Sequence, residues 1–188
     1  MTEIELYDVF KKLISKSKSI KRYVTAPQYG VELNKNNLGE NLKDILGGIK
    51  NGPKYPLCIL FPPVELPDYD SDWSIFKCTI FFLDRQYNDE SGIANRNAFN
   101  NLSQKTIEQI WQTMSTAAKD FRRVMISILD ENMDKGFRDG QSVDLIERYS
   151  DVGNDRLAGV SLTFTVELFT GCEITDYDVE TINIFENE

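Results

Sequence analysis

The sequence predicts an α+β domain: a mainly antiparallel sheet of about four strands packed against one long helix and a shorter N-terminal helical pair. Three patterns predict it. Residues 159–169 alternate apolar and polar side chains, as a half-buried antiparallel strand does. Residues 103–133 repeat apolar side chains in steps of three and four, the period of one helix face. Two short apolar runs, 55–61 and 73–83, are bounded by turn residues and read as strands. With 188 residues the chain fits one domain of roughly 100–200 residues. It divides into a helical segment at 1–25, a core at 26–172 and an acidic arm at 173–188.

The first helix is expected over 3–16, where Ile4, Leu6, Val9, Phe10, Leu13 and Ile14 form one stripe. Thr2 is its N-cap candidate, and Glu3 and Glu5 suit the positive end of the helix dipole. Lys11, Lys12, Lys16, Lys18, Lys21 and Arg22 follow without an intervening acid. That run is either a solvated helix end or a docking patch for an acidic partner or phosphates. Pro27, Gly30 and several Asn make 26–38 irregular. A second short helix is expected at 39–47, with Leu42, Ile45 and Leu46 on one face and Gly47-Gly48 at its end.

Tyr55-Pro56-Leu57-Cys58-Ile59-Leu60-Phe61 reads as a buried strand, stopped by Pro62 and Pro63 because neither can donate to a ladder. Glu65, Asp68, Asp70 and Asp72 follow on a loop broken by Pro67. These carboxylates lack the central Gly and terminal Glu offsets of a calcium loop, so they are read as a solvated hairpin loop without a metal. The next strand sets Phe76, Cys78, Ile80 and Phe82 on one face and Ile75, Phe81 and Leu83 on the other, so something packs on each. A long Asn-rich loop spans 84–101. The long helix carries Ile107, Ile110, Trp111, Met114, Ala117, Ala118, Phe121, Val124, Met125, Ile128, Leu129 and Met133 on its apolar face, with Asn101 and Gln104 as capping pair. Strands at 142–149 and 159–169 flank a loop at 151–155. The last strand directs Val160, Leu162, Phe164, Val166 and Leu168 to one side and Ser161, Thr163, Thr165 and Glu167 to the other.

Composition removes whole classes of chemistry. There is no histidine, hence no Ser-His-Asp triad, Cys-His dyad, HExxH site or His base. The 21 Lys plus Arg against 30 Asp plus Glu leave a formal charge of -9, which disfavours a dedicated nucleic-acid reader. Cys58, Cys78 and Cys172 have neither metal-site nor disulfide-framework spacing; Cys58 and Cys78 are expected as buried small hydrophobes. No signal peptide opens the chain and no run approaches the roughly 20 apolar residues of a membrane span, so a protein made in a reducing cytoplasm is expected. No phosphate-cradling glycine motif is present. The chain is therefore read as a non-enzyme without cofactors. The arm at 173–188 carries Glu173, Asp176, Asp178, Glu180, Glu186 and Glu188 with no Lys or Arg, yet Tyr177, Val179, Ile182, Ile184 and Phe185 punctuate it. A purely solvating tail has no use for those side chains; an arm that docks on a neighbouring subunit does.

Several segments resemble the tail terminator and tail-completion proteins of tailed bacteriophages, particularly those of Bacteroidetes hosts. They are the 55–63 run with its two terminal prolines, Ile80-Phe81-Phe82-Leu83-Asp84, the helix from Ile110-Trp111 to Asp120-Phe121, and Asp155-Arg156-Leu157-Ala158-Gly159-Val160 leading to Cys172. The likeness spans about residues 40–172 and rests on topology. It implies a tail-terminator-like fold, no catalytic residues, and a closed ring of six or twelve copies in the virion neck, joining tail tube or hub to the connector under the portal. Residues 173–188 then reach a neighbour through Tyr177, Ile182 and Phe185, and Glu65, Asp68, Asp70, Asp72 and the 84–101 loop are candidates to line a lumen that passes double-stranded DNA without holding it. The competing reading is a soluble protein-binding adaptor without a virion role.

Overall fold

The computed structural model describes residues 3–26, 42, 44, 47, 53–66, 72–85, 105–131, 136–140, 143–153 and 155–169. The order is α1 (Glu3–Ser15), β1 (Arg22–Thr25), β2 (Leu57–Leu66), β3 (Trp73–Arg85), α2 (Ile107–Glu131), β4 (Phe137–Asp139), β5 (Leu145–Val152) and β6 (Leu157–Phe169). Leu42, Asp44 and Gly47 also have helical backbone, inside the stretch expected as the second helix.

The fold is α+β, but the sheet is larger than four strands and mixed. Six strands pair in the order β1-β2-β3-β6-β4, with β5 also on β6. All pairs are antiparallel except β1 on β2, which runs parallel from Arg22 opposite Leu57 to Thr25 opposite Leu60. Residues 1–25, read as a separate helical segment, thus supply a strand of the sheet. β4 and β5 lie along the same outer side of β6, at 166–168 and 157–163 respectively. A three-residue strand such as β4 has too little pattern to be read from sequence.

Pro62 and Pro63 do not end β2. The register passes from Phe61 opposite Thr79 to Val64 opposite Lys77, so both prolines face the single residue Cys78 in a bulge. β1 covers β2 only as far as Leu60, so the missing amide donors leave no gap in that ladder. A second bulge lies between Tyr149 and Val152 of β5, where Asp151 adopts φ 57°. Strand β5 therefore runs on through residues expected in the following loop.

The expectation of packing on both sheet faces holds. On one face Phe76, Cys78, Ile80 and Phe82 join Val160, Leu162, Phe164, Val166 and Leu168 beneath the two helices. α1 supplies Leu6, Phe10 and Ile14; α2 supplies Ile110, Met114, Ala118, Phe121, Met125 and Leu129. Those α2 residues step by four, four, three, four and four, which keeps them on one stripe of a helix about 37 Å long. Phe10, Phe121 and Phe164 meet edge to face with centroids 5.8–6.2 Å apart, a geometry worth about 0.5–1.5 kcal/mol per pair beyond burial. On the opposite face Phe81 and Leu83 join Leu57, Ile59, Phe61, Ala26, Leu42, Val152 and Leu157 in a smaller core.

The expected capping pair, Asn101 and Gln104, lies outside the described residues; among those described, Thr106 and Gln109 cap α2. The Gln109 amide donates to Thr106 Oγ1 (3.2 Å) while the Thr106 amide donates to Gln109 Oε1 (3.0 Å). This reciprocal box starts α2 at Ile107 because it satisfies two amides that have no intrahelical partner. Within α2, Arg122 is buried on the apolar stripe. Its Nε donates to both Asp144 oxygens (3.0 and 2.9 Å), Nη2 donates to Asp139 (2.6 Å), and the guanidinium lies 4.9 Å from the Phe164 ring centroid.

Candidate interaction surfaces

The basic run takes its shape from the end of α1. Lys16 and Ser17 amides donate to Leu13 and Ile14 carbonyls in a tightened last turn. Ser17 Oγ then accepts from the Ser19 and Ile20 amides (3.3 and 3.2 Å), which turns the chain toward β1 and drops Ile20 into the core. Lys21 and Arg22 amides donate to the Pro56 carbonyl, and Arg22 Nε donates to the Pro53 carbonyl (3.3 Å). Lys11, Lys12, Lys16, Lys18 and Lys21 are exposed; Arg22 is half-buried.

Because the chain turns away at Lys16 while α2 continues, a groove of about 330 Å³ opens between them. Leu13, Ile14, Ala117, Phe121 and Val124 form its walls and Phe82 of β3 its floor. Lys16 and Lys18 stand on one rim and Asp120 on the other. Val124, expected on the core face of the helix, is 48% exposed here, and among the described residues no element covers this part of α2. The patch and the groove form one surface, which the sequence showed only as a charge run and an apolar stripe nearly a hundred residues away.

A second recess of about 350 Å³ lies between α2 and β5. It is lined by Glu108, Trp111, Lys119 and Arg148. Trp111 Nε1 donates to the Tyr149 carbonyl (2.7 Å), and Arg148 lies 5.7 Å from the indole centroid, so two of its lining side chains are engaged with each other.

The acidic candidates lie at the other end of the sheet. Glu65 is the last residue but one of β2, opposite Phe76, rather than part of the loop after it, and Asp72 precedes β3; both are exposed. Val64, Leu66 and Phe169 near them are 47%, 46% and 42% exposed, an apolar fringe on that end. β1 begins with Arg22 beside Leu57, eight residues from Glu65 along β2, so that end of the basic run and Glu65 are separated by roughly 26 Å. Asp68, Asp70, residues 86–101, and Tyr177, Val179, Ile182, Ile184 and Phe185 with the rest of the arm lie outside the described residues.

The titratable groups inside the fold are engaged as structural ties. Asp84 is buried and accepts from Lys105 Nζ (2.6 Å) and the Arg85 amide (2.8 Å). Tyr55 donates to Asp155; burial first and that hydrogen bond second push its phenol well up from the ordinary tyrosine range. Burial likewise raises Tyr23 and Tyr149. The Cys58 thiol is fully buried and pushed well up, which keeps it protonated and a poor nucleophile. Among the described residues no group of three or more Cys, Asp and Glu is arranged to hold a metal ion, and no helix is long and apolar enough to cross a membrane.

No protein-family model matches the chain, and no curated protein matches it.

Proposed function

We propose that this chain is a structural subunit of a phage neck or tail, resembling tail terminators, that closes into a ring and joins the tail to the connector while DNA passes. One observation carries the reading: chemically different surfaces at opposite ends of a single sheet. A basic-rimmed apolar groove lies toward the Leu57 end. Glu65 and Asp72, with the exposed Lys77 opposite Val64 and an apolar fringe, lie at the Leu66 end, from which β6 leads on toward the acidic arm. Cyclic rings join one patch to a different patch on the next copy, and this polarity supplies both halves. The net charge of -9 suits a lumen whose carboxylates, with Glu65, Asp68, Asp70 and Asp72 as candidates, repel phosphates rather than grip them.

The test is the mass and shape of the purified protein, by mass photometry and negative-stain microscopy, together with mass spectrometry of purified virions. A closed ring and the chain's presence in the particle are expected. A single chain at every concentration overturns the ring and favours the protein-binding adaptor.

A further inference from the structure

We infer that the groove between the end of α1 and the middle of α2 receives residues 173–188 of a second copy of this chain. The inference rests on the ring reading and names the contact that closes it.

The groove is open, apolar inside and cationic at its rim. Its volume of about 330 Å³ is at the small end of the roughly 300–1,000 Å³ typical of ligand sites, a size for a few anchoring side chains. Lys16 and Lys18 are exposed on its rim, with Lys11, Lys12 and Lys21 close by in the chain. Asp120 on the far rim is offset by Arg123 at 3.4 Å. The surface therefore selects an acidic segment that carries large apolar side chains.

Residues 173–188 have that chemistry: six carboxylates, no Lys or Arg, and Tyr177, Ile182 and Phe185 as anchors. The arm leaves the sheet at the end away from the groove, which suits a donor for the next copy, although its length also spans the distance to its own groove, so the experiment below separates the two. β6 ends at Phe169, opposite Trp73, whereas the groove floor at Phe82 lies opposite Val160. Nine residues of strand, roughly 30 Å, separate the two levels. A donor leaving one end of the sheet and an acceptor toward the other is the head-to-tail arrangement that generates rings.

The experiment uses full-length protein and mass photometry across a concentration series. Val124→Glu puts a carboxylate into the groove at an exposed position; Lys16→Glu/Lys18→Glu reverses the rim and serves if the first variant folds poorly. Tyr177→Ser/Ile182→Ser/Phe185→Ser silences the arm. Each is expected to weaken association by about tenfold or more, leaving single chains where wild type assembles. Mixing a groove variant with the arm variant leaves one sound arm and one sound groove per pair, so a two-chain species is expected. If wild type assembles and all variants assemble equally, the groove inference is overturned and the ring stands on another interface. If the variants are single chains but their mixture yields no two-chain species, the arm occupies its own groove and the inference is again overturned. If wild type itself never assembles, the ring reading falls with it.

Discussion

Arg122 offers the sharpest test of how this fold is held together. It is 5% exposed in the middle of α2, and it ties that helix to Asp139 of β4 and to Asp144 just ahead of β5. The acid side chains remain 30% and 32% exposed, so the two signs of charge are not equally dependent on the pair. Asp139→Asn/Asp144→Asn strands a desolvated guanidinium, and breaking a buried pair in this way costs about 3–5 kcal/mol. Arg122→Met keeps an apolar stem against Phe164 and leaves carboxylates that retain water, for a loss of about 2 kcal/mol. Whole domains are stable by only about 5–15 kcal/mol, so the acid variant loses a large share of the total. The triple variant is expected to be more stable than the acid double variant, because the stranded cation is gone. Urea midpoints at constant m-value read all four proteins. If the acid double variant loses no more than Arg122→Met, or the triple variant is simply additive, the guanidinium does not depend on these carboxylates and the argument fails.

Three further outcomes follow from the same structure. Thr106→Ala should lower stability by about 1 kcal/mol through loss of the capping box, whereas Asn101→Ala should not; equal thermal shifts would return the helix start to Asn101. Gly159→Ala should cost about 3 kcal/mol or more, since a Cβ there would sit 2.0 Å from the Phe82 carbonyl oxygen; an unchanged melting temperature contradicts that close approach. Stability should be constant across neutral pH with respect to Tyr23, Tyr55 and Tyr149 and fall once pH rises above the ordinary tyrosine value of 10.0, because the unfolded chain then ionises phenols that burial keeps neutral in the fold. Absorbance at alkaline pH should show those phenols ionising together with unfolding; free, reversible titration in the folded state contradicts it.

The parts of the fold legible in the sequence are those carried by long periodic patterns. α1, α2, β3 and β6 follow from steps of three and four or from alternation, and the two-sided character of β3 correctly implies a core on each face. Patterns failed where a partner strand changes what a residue means. Pro62-Pro63 reads as a stop, yet it is a bulge, at a point where β1 no longer pairs with β2, so neither missing amide breaks the β1–β2 ladder. Arg22–Thr25 reads as the tail of a basic run, yet four residues suffice for a strand once β2 offers a parallel edge.

The interaction surface divides in the same way. Sequence alone determines the charge ledger: no histidine, an excess of acid, cations gathered at 11–22 and acids at 65–72 and 173–188. It also determines which helix faces must be buried. Only the tertiary structure decides that Ser17 turns the chain away from α2 at the point where Ala117 and Val124 would otherwise be covered, leaving an apolar groove beneath two lysines. Hydrophobic periodicity records which side chains avoid water on average. Which of them are left uncovered depends on where a neighbouring element stops, and that is a property of three-dimensional packing.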